Sequence, residues 1–368
     1  MAHQSLYRTY RPATFADVVG QEQVTKPLEE AAKAGKIGHA YLFAGSRGLG
    51  KTSVARIFAS AIGCKENDLN EIDAASNNTV DDMRALSEGV YTLPFESPYK
   101  VYILDEVHML SKSAWSAFLK TLEEPPAHAV FILATTELEK VPETVQSRCQ
   151  VFEFKKPTHK LLAEFVRRIG GKIDGNYNVH QDAAELISML AEGSYRDALS
   201  ILQRVLIPGV DQMSTNENLK EHREDGGNIF PVDREITREK VEILTGAPRR
   251  EHVHALIHAL ASGERGNALS AIENAAKAGV DMKLFLELVL EELRATLLIR
   301  YAPELRASLQ SELGADEFSA LEKFAAGKGI THATMLAFLN AADRIRYAPI
   351  PALPLELAVF ELFPAESA

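Results

Sequence analysis

The residues best suited to chemistry in this chain lie between Gly45 and Thr52, in the sequence Gly-Ser-Arg-Gly-Leu-Gly-Lys-Thr. An apolar run from Ala40 to Ala44 precedes them and predicts a buried strand, and the apolar spacing after them predicts a helix. A glycine-rich turn between a strand and a helix lets backbone N–H groups wrap closely around a polyphosphate. The pattern therefore predicts a phosphate-binding loop, in which the Lys51 ammonium neutralises phosphate charge and the Thr52 hydroxyl binds Mg²⁺.

Two acidic residues, Asp105 and Glu106, end a second apolar run that begins at Val101. The run predicts a buried strand, and two carboxylates at its tip are costly unless they meet a cation. Next to a phosphate-binding loop, the first acid is suited to holding Mg²⁺ and the second to polarising an attacking water. Without that loop, a solvated strand end would be the simpler interpretation.

Three further side chains fit the same chemistry, and each has an ordinary alternative. Thr136 ends the apolar run from Val130, where a hydroxyl can hold a water or sense a phosphate, although Thr is also common in strands. Arg148 lies in a predicted loop, where a guanidinium is usually a solvated charge but can also reach a phosphate on a neighbouring molecule. Arg196 follows Ser194 in the first turn of a predicted helix. The helix dipole disfavours a cation there unless a phosphate faces it, and a surface arginine lying along the helix is the alternative.

These strands alternate with helices as far as residue 157, and the apolar residues from Val151 to Phe154 predict a further buried strand. The alternation predicts an α/β domain built on a parallel sheet. Ligands bind at the carboxyl ends of the strands in such a sheet, and Gly45, Asp105 and Thr136 all fall there. Beyond this domain the apolar spacing predicts helices only, interrupted by a polar stretch rich in Gly and Pro. The predicted organisation is a P-loop domain (1–157), a small helical domain (158–207), a linker or loop (208–235) and a larger all-α domain (236–368).

Composition places the 368 residues among ordinary globular proteins, with 46% hydrophobic and 25% charged residues. The formal net charge of −11 excludes a dedicated nucleic-acid coat, but not a protein that meets DNA through one inner face of an assembly. The two cysteines, Cys64 and Cys149, are too few for a disulfide scaffold or a four-cysteine zinc site and suit a reducing compartment. We see no signal peptide and no run of about 18 apolar residues, which predicts a cytoplasmic protein without membrane contact.

These signals and several others occur along the chain in one order. The series is Tyr10–Pro12, Phe15–Gln21, His39–Phe43, Gly45–Thr52, Ile72–Asn77, Leu104–Leu110, Leu119–Pro126, Leu133–Thr136, Ser147–Cys149 and Gly193–Leu199. Together they resemble the γ/τ family of bacterial DNA polymerase III subunits, which are AAA+ ATPases of the clamp loader. The resemblance is dense over 6–205 and looser over 236–300. It implies an AAA+ parallel-sheet domain, a helical lid domain and an all-α collar domain for oligomerisation.

The resemblance implies a catalytic role for each side chain already singled out. Lys51 and Glu106 would act within the chain's own ATP site. Thr136 would be the residue called sensor 1, and Arg196 would be sensor 2. Arg148, in the sequence Ser-Arg-Cys, would act in trans and complete the ATP site of a neighbouring subunit.

The resemblance also implies ATP and Mg²⁺ as cofactors. Thr52 and Asp105 would hold the metal, and Arg11, Pro12 and Val19 would lie near the adenine. The phosphate-binding residues would be Gly45, Ser46, Arg47, Gly48, Leu49, Gly50, Lys51 and Thr52.

The partners that the resemblance implies are further copies of the chain, together with δ and δ′, in a ring of five ATPase-type subunits. The ring would open the sliding clamp and place it on primer–template DNA. Because residues 1–157 carry 17 Lys and Arg against 20 Asp and Glu, DNA contact must come from a local row of cations. Arg84 is a candidate for that row, with a solvated helix face as the alternative.

The chain departs from the family pattern in three places. Family members usually carry a four-cysteine zinc module after the P-loop helix, whereas only Cys64 is present here, which predicts that no zinc is bound. The stretch 208–235 is longer than usual. The sequence also stops after the collar, which predicts a γ-length form or a truncated chain.

Two alternatives to a clamp-loader motor stay open. One is another AAA+ machine, such as a Holliday-junction branch-migration motor or a replication-fork repair ATPase, and the Leu119–Pro126 and Ser147–Cys149 stretches argue against it. The other is a non-hydrolysing scaffold subunit like δ′. Such a subunit is expected to have a degraded P-loop, whereas Lys51 and Thr52 are both present.

Overall fold

The structure is a computed structural model that describes residues 5–173, 176–206, 234–313 and 315–363. The chain divides into two compact units, Met1–Leu206 and Ile207–Ala368. Residues 208–233 of the predicted linker lie outside the described part of the chain. The finer division of the first unit into a sheet domain and a helical lid stays a prediction.

A five-stranded parallel sheet forms the centre of the first unit. Its strands are β1 (Ala40–Ala44), β2 (Leu69–Asp73), β3 (Lys100–Asp105), β4 (Ala129–Thr135) and β5 (Gln150–Glu153). They lie side by side in the order β2-β3-β4-β1-β5. Every neighbouring pair is parallel, which confirms the predicted α/β sheet.

Helices connect the strands and continue after them. They are α1 (Leu6–Thr9), α2 (Glu22–Ala34), α3 (Lys51–Ala61), α4 (Val80–Val90), α5 (Lys112–Glu123), α6 (Glu143–Gln146), α7 (His159–Gly170), α8 (Gln181–Leu190) and α9 (Tyr195–Val205), with a two-residue strand β6 (Asn178–Val179) between α7 and α8. The predicted P-loop strand has the bounds of β1. The helix predicted after it, from Thr52 to Ala61, starts one residue later than α3.

Both faces of the sheet are covered by helices, and this explains why its central strands are apolar throughout. Helices α4 and α5 bury Met83, Trp115 and Phe118 against one face. Helices α2 and α3 bury Leu28 and Phe58 against the other. Full burial of one such side chain contributes about 1.5–3 kcal/mol, so these two layers supply most of the stability of the unit.

Strand β5 is an edge strand, so the prediction of a buried strand from Val151 to Phe154 is wrong in part. It pairs only with β1, and Val151 is 41% exposed. Apolar residues at alternating positions do not distinguish a central strand from an edge strand that has one neighbour. Phe154, just after the strand, is buried as expected.

The parallel order brings the ends of three strands to one edge of the sheet. β1 ends at Ala44, β3 ends at Asp105, and β4 ends at Thr135 between them. The Gly45 N–H donates to the Thr135 carbonyl at 3.2 Å, which ties the P-loop to the end of β4. The site described below is built at this edge.

A buried carboxylate lies where the resemblance led us to look for a zinc module. Asp68 closes a short turn after α3, and it accepts hydrogen bonds from the N–H groups of Phe95, Glu96 and Ser97 at 2.5, 3.0 and 2.9 Å. Burial raises the pKa of Asp68, but these donors outweigh burial and hold the pKa at about 2. The carboxylate therefore fastens the α3–β2 connection to the loop that precedes β3.

The second unit is helical where it is described. It begins with a two-residue strand, β7 (Glu235–Ile236), and contains α10 (Arg238–Thr245), α11 (Arg250–Ser262), α12 (Arg265–Lys277), α13 (Met282–Tyr301), α14 (Arg306–Leu313), α15 (Ala315–Ala326), α16 (His332–Ile345) and α17 (Leu353–Leu362). The long helix α13 buries Phe285 and Leu293. Near its end, the Arg300 guanidinium donates to the carbonyls of Ala325, Gly327 and Ile330 and so ties α13 to the end of α15.

The described residues contain neither a membrane-spanning helix nor a cluster of metal-binding side chains. Over those residues, we find no helix whose length and apolar character would let it cross a bilayer. In the same residues, no group of three or more His, Cys, Asp and Glu side chains is arranged to hold a metal ion. The absence of zinc stays a prediction.

Candidate functional site

The P-loop joins β1 to α3 through three glycines in the left-handed region of backbone space. Gly45, Gly48 and Gly50 have φ values of +145°, +78° and +95°. A Cβ atom on Gly48 would lie 2.0 Å from Ser194 Oγ, so no larger residue fits there. The predicted glycine pattern therefore has a steric cause at this loop.

The Lys51 side chain lies inside the curve of the loop. The residue is only 6% exposed, and its Nζ atom donates to the carbonyls of Gly45 at 2.6 Å and Ser46 at 3.0 Å. Burial lowers the pKa of Lys51, while the charges of Glu106 and Asp105 oppose that effect. A buried ammonium with two carbonyl partners is suited to neutralising an anion held by the same loop.

The hydroxyl of Thr52 and the carboxylate of Asp105 meet at this edge of the sheet. Thr52 Oγ1 donates to Asp105 Oδ2 at 2.7 Å, although β1, which leads into α3, and β3 are separated in the sheet by β4. Hydroxyl and carboxylate oxygens are the ligands that Mg²⁺ prefers beside a phosphate. These two residues therefore fit a magnesium ion by the chemistry of their donor atoms.

Glu106 is held in a backbone conformation that non-glycine residues rarely adopt, with φ +51°. Its N–H donates to Asp105 Oδ1 at 3.0 Å, and Thr136 Oγ1 donates to its Oε2 atom at 3.2 Å. Strained residues of this kind cluster at functional sites, because the strain fixes the direction of a side chain. The end of β3 thus directs the Asp105 carboxylate toward Thr52 and the Glu106 carboxylate toward Thr136.

A cavity of about 960 Å³ opens beside the P-loop and collects most of the predicted site residues. Its lining includes Arg11, Pro12, Val19, Arg47, Gly48, Leu49, Gly50, Lys51, Thr52, Asp105, Glu106 and Arg196. The other predicted residues of the chain's own site lie one contact away. Gly45 and Ser46 hold the Lys51 ammonium, and Thr136 holds the Glu106 carboxylate.

Helix α9 closes the other side of this cavity. Its cap residue Ser194 accepts the N–H of Asp197, which places Arg196 in the first turn. The Arg196 guanidinium lies over the Tyr7 ring, 5.4 Å from its centroid. Because no acid in the described part of the chain forms an ion pair with Arg196, this cation is suited to meeting phosphate oxygens in the cavity.

The N-terminal arm contributes Arg11 to the cavity. Arg11 Nε donates to Ser53 Oγ at 2.9 Å, which holds the arm against the start of α3. Burial lowers the pKa of Arg11, and the nearby charge of Arg56 lowers it further. Even a lowered arginine pKa leaves the guanidinium charged near neutral pH, so the arm carries a fixed cation.

Three residues that contact the predicted site residues were given no role in the sequence analysis. The Tyr195 N–H donates to the Gly48 carbonyl at 3.1 Å, and its hydroxyl donates to the Val19 carbonyl at 2.9 Å. Tyr7 lies under Arg196, and His108 lies beside Glu106. Tyr195 and His108 belong to motifs that the sequence analysis quoted, so position within the motif was the available signal for them, whereas Tyr7 lies just before the first quoted motif.

Arg148 and Arg84 lie outside the lining of the cavity. Arg148 Nη2 pairs with Glu123 Oε1 at 2.6 Å, and its Nη1 donates to the Thr144 carbonyl at 2.7 Å. Arg84 pairs with Asp81 at 3.3 Å on the surface of α4. The structure thus brings neither arginine to the chain's own P-loop.

Two family models match this chain. A family model described as DNA polymerase III, delta subunit matches residues 20–79 and 67–158, and one described as DNA polymerase III subunits gamma and tau domain III matches 236–368. DNA polymerase III subunit gamma of Buchnera aphidicola subsp. Schizaphis graminum is 33% identical over 302 residues, which are 76% of this chain and 76% of the relative. The chain belongs to the gamma/tau family of DNA polymerase III subunits.

Longer relatives match over most of this chain. DNA polymerase III subunit tau of Bacillus subtilis (strain 168) is 35% identical over 98% of this chain and 63% of its own length. The tau subunit of Escherichia coli (strain K12) is 35% identical over 88% of this chain and 49% of its own length. The chain therefore spans less than two thirds of the length of one of these relatives and about half of the other.

The fold is that of an AAA+ protein. Among solved structures, the Thermotoga maritima RuvB Holliday junction branch migration motor aligns with a TM-score of 0.50 and 23% identity. The alignment covers 74% of this chain and 86% of RuvB. At this level of identity the likeness concerns the fold alone.

Proposed function

We propose that this chain is the ATP-hydrolysing motor subunit of a bacterial clamp loader, which opens a sliding clamp and places it on primed DNA in the cytoplasm. The observation that carries the proposal is the contact between Thr52 and Asp105, made beside Lys51 and Glu106 at one cavity. A chain of the gamma/tau family with this complete set of groups has what phosphoryl transfer to water requires.

Different residues of the cavity bind the triphosphate, the adenine and the metal ion. Backbone N–H groups from Gly45 to Thr52 and the Lys51 ammonium bind the triphosphate. Arg11, Pro12 and Val19 lie on the adenine side of the same cavity. Thr52 and Asp105 hold Mg²⁺, which supplies positive charge beside the phosphates when bound.

Hydrolysis requires that an attacking water lose a proton near the terminal phosphate. Glu106 accepts that proton, and its hydrogen bond from Thr136 keeps one carboxylate oxygen fixed. Arg196 faces the cavity from α9 and meets the same phosphate. The lid helix therefore responds to whether the terminal phosphate is present.

Arg148 acts on the ATP of a neighbouring subunit. Its position outside the lining of the chain's own cavity supports this assignment, because a guanidinium on the far side can serve another protomer. The partners are further copies of the chain with δ and δ′ in a ring, the clamp, and primer–template DNA. Arg84, exposed on α4, is our candidate for contact with DNA.

The second unit supplies the surface for assembly. Helix α16 exposes Leu336 and Leu339, which are 55% and 45% exposed, and α17 exposes Leu357 and Phe360. Large apolar side chains grouped on exposed helices favour contact with other subunits. This exposed apolar surface supports the proposed role of the second unit as a collar.

A steady-state ATPase assay tests the proposal. We expect the chain, assembled with δ and δ′, to hydrolyse ATP faster when both the clamp and primed DNA are added. Lys51→Ala removes hydrolysis, and Arg84→Ala weakens stimulation by DNA without changing the rate in its absence. A rate that neither clamp nor DNA raises would contradict the clamp-loader function and favour another AAA+ motor. Assembly without any hydrolysis would favour a scaffold subunit.

A further inference from the structure

The turn after Glu106 carries a buried histidine that the proposed function does not use. The left-handed backbone of Glu106 leads into a 3₁₀ turn, Val107–Met109, and this turn carries His108 back beside the Glu106 side chain. The His108 side chain is only 8% exposed. It is absent from the lining of the cavity, so any part it plays in hydrolysis passes through another residue.

The imidazole of His108 lies between two carboxylates. Its Nδ1 atom is 3.5 Å from Glu106 Oε2, and its Nε2 atom is 3.4 Å from Glu137 Oε1. Nδ1 also lies 3.2 Å from the hydroxyl of Thr135, the last residue of β4. One ring therefore joins the segment that follows β3 to the segment that follows β4.

Glu137 is itself held in place. Its N–H donates to Thr135 Oγ1 at 3.0 Å, and its carboxylate pairs with Lys140 Nζ at 2.7 Å. The hydrogen bond from Lys140 lowers the pKa of Glu137, so this carboxylate is ionised and accepts hydrogen bonds near neutral pH. His108 thus lies against a fixed anchor on the side away from Glu106.

Few polar contacts hold the Glu106 side chain in one rotamer in the described structure. Its side chain is 33% exposed and has three rotatable bonds, and Thr136 and His108 are the polar side chains that approach its Oε2 atom in the described structure. A general base must keep one oxygen within hydrogen-bond reach of the attacking water. A ring that fixes the rotamer of Glu106 therefore affects the rate of hydrolysis more than the binding of ATP.

We propose that His108 is a positioning residue for Glu106, anchored by Glu137, and that it keeps the Glu106 carboxylate directed at the attacking water. This inference rests on the proposed role of Glu106 as general base. His108 then forms a second link between the residues after β3 and those at the end of β4, in addition to the hydrogen bond from Thr136 to Glu106.

The test compares substitutions at position 108 in the assembled ATPase. His108→Leu keeps the volume of the side chain but removes both polar contacts, so we expect kcat to fall about tenfold. The dissociation constant for ATP stays within about twofold of the original, because His108 does not touch the cavity. His108→Asn places an amide near the position of Nδ1 and restores most of the lost kcat. Glu137→Gln, which keeps the shape of the anchor but not its charge, lowers kcat in the same direction.

A double-substitution cycle separates positioning from a structural role. If His108 acts through Glu106, adding His108→Leu to Glu106→Gln causes no further loss of turnover. A structural defect would lower the rate again or weaken ATP binding. The matched control is His128→Leu, which alters another partly buried imidazole whose Nε2 contacts the Val90 carbonyl away from the site.

The outcomes distinguish this inference from the proposed function. If Glu106→Gln keeps full turnover, the general-base assignment is wrong and the inference falls with it. If Glu106→Gln is inactive while His108→Leu keeps the original kcat, only the inference is overturned. Loss of ATP binding by both His108→Leu and His108→Asn would also overturn it. If His108→Leu does not fold, a kcat of Glu137→Gln equal to the original decides against it.

Discussion

At the residue scale, the proposed magnesium site depends on one oxygen atom of Thr52 and one of Asp105. A hydroxyl from the start of α3 and a carboxylate from the end of β3 lie 2.7 Å apart, a distance that leaves both ready to face one cation. Neither residue is unusual by itself. Their proximity follows from the order of the strands, which places β3 and β1 on either side of β4.

The first prediction concerns the charge of Asp105. Asp105→Asn keeps the shape of the side chain and its contact with Thr52, but it removes the negative charge that a divalent cation requires. We expect affinity for ATP in the presence of Mg²⁺ to fall at least about tenfold, with little change in its absence. Titration with a fluorescent ATP analogue, with Mg²⁺ and with EDTA, measures this difference. Asp81→Asn, at an exposed acid of α4, is the matched control, and equal losses in both variants would contradict the magnesium assignment.

At the scale of elements, one carboxylate, that of Asp68, holds the turn after α3 to the loop before β3. Three backbone N–H groups converge on it from the loop before β3. The loop itself exposes Leu93 and Phe95, so it has little apolar packing of its own. Its order therefore depends on a charged group that accepts several hydrogen bonds.

The second prediction is a dependence of stability on pH. Because the pKa of Asp68 is about 2 in the folded chain and about 3.9 when unfolded, the unfolded state binds more protons between these values. The stabilisation is thus complete above about pH 5 and is lost as the pH falls toward 2. We expect Asp68→Asn to lower the melting temperature at pH 7 and the gap between the two proteins to close toward pH 2. A gap that does not change with pH would mean that the charge of Asp68 is irrelevant.

Elements whose contacts are local could be predicted from the sequence, whereas long-range pairings could not. The P-loop unit is local, since Ala40–Ala44 and the helix that ends at Ala61 are set by consecutive residues. Tyr195, by contrast, meets Gly48 across 147 positions of the chain, and no periodicity reports such a contact. The exposure of β5 was missed for a related reason, because burial depends on the number of neighbouring strands.

At the scale of the whole molecule, the two units carry different tasks. The first contains the cavity and the chain's own groups that we propose bind ATP, and the second exposes large apolar side chains on its helices. The change from alternating strands and helices to helices alone comes after residue 157, inside the first unit, so it does not mark the boundary after Leu206. Under the proposed function, Arg148 acts only where another protomer provides the phosphate, so its role depends on how the subunits are arranged.

The third prediction concerns assembly. Leu336→Glu with Leu339→Glu places two charges on the exposed face of α16, where they do not disturb the buried side of the helix. We expect the doubly substituted chain to fold normally but to lose most of its association with δ, δ′ and its own copies, because burying an unpaired charge at an interface is costly. Sedimentation velocity measures the association. Leu93→Glu, at an exposed leucine of the first unit, is the control, and full assembly of the doubly substituted chain would show that this face is not the collar interface.

The most direct test of the account is whether two defective chains restore each other's activity. Lys51→Ala chains cannot use their own site but present an intact Arg148, and Arg148→Ala chains have an intact site but lack the guanidinium for a neighbour. We expect each variant alone, assembled with δ and δ′, to hydrolyse ATP at least about a hundredfold more slowly than the original chain. Rings assembled from an equal mixture should recover a substantial part of the turnover, because Arg148 of one chain serves the site of the next. If mass spectrometry finds mixed rings but turnover stays at the level of the separate variants, hydrolysis does not depend on a neighbour's Arg148 and the central claim is wrong.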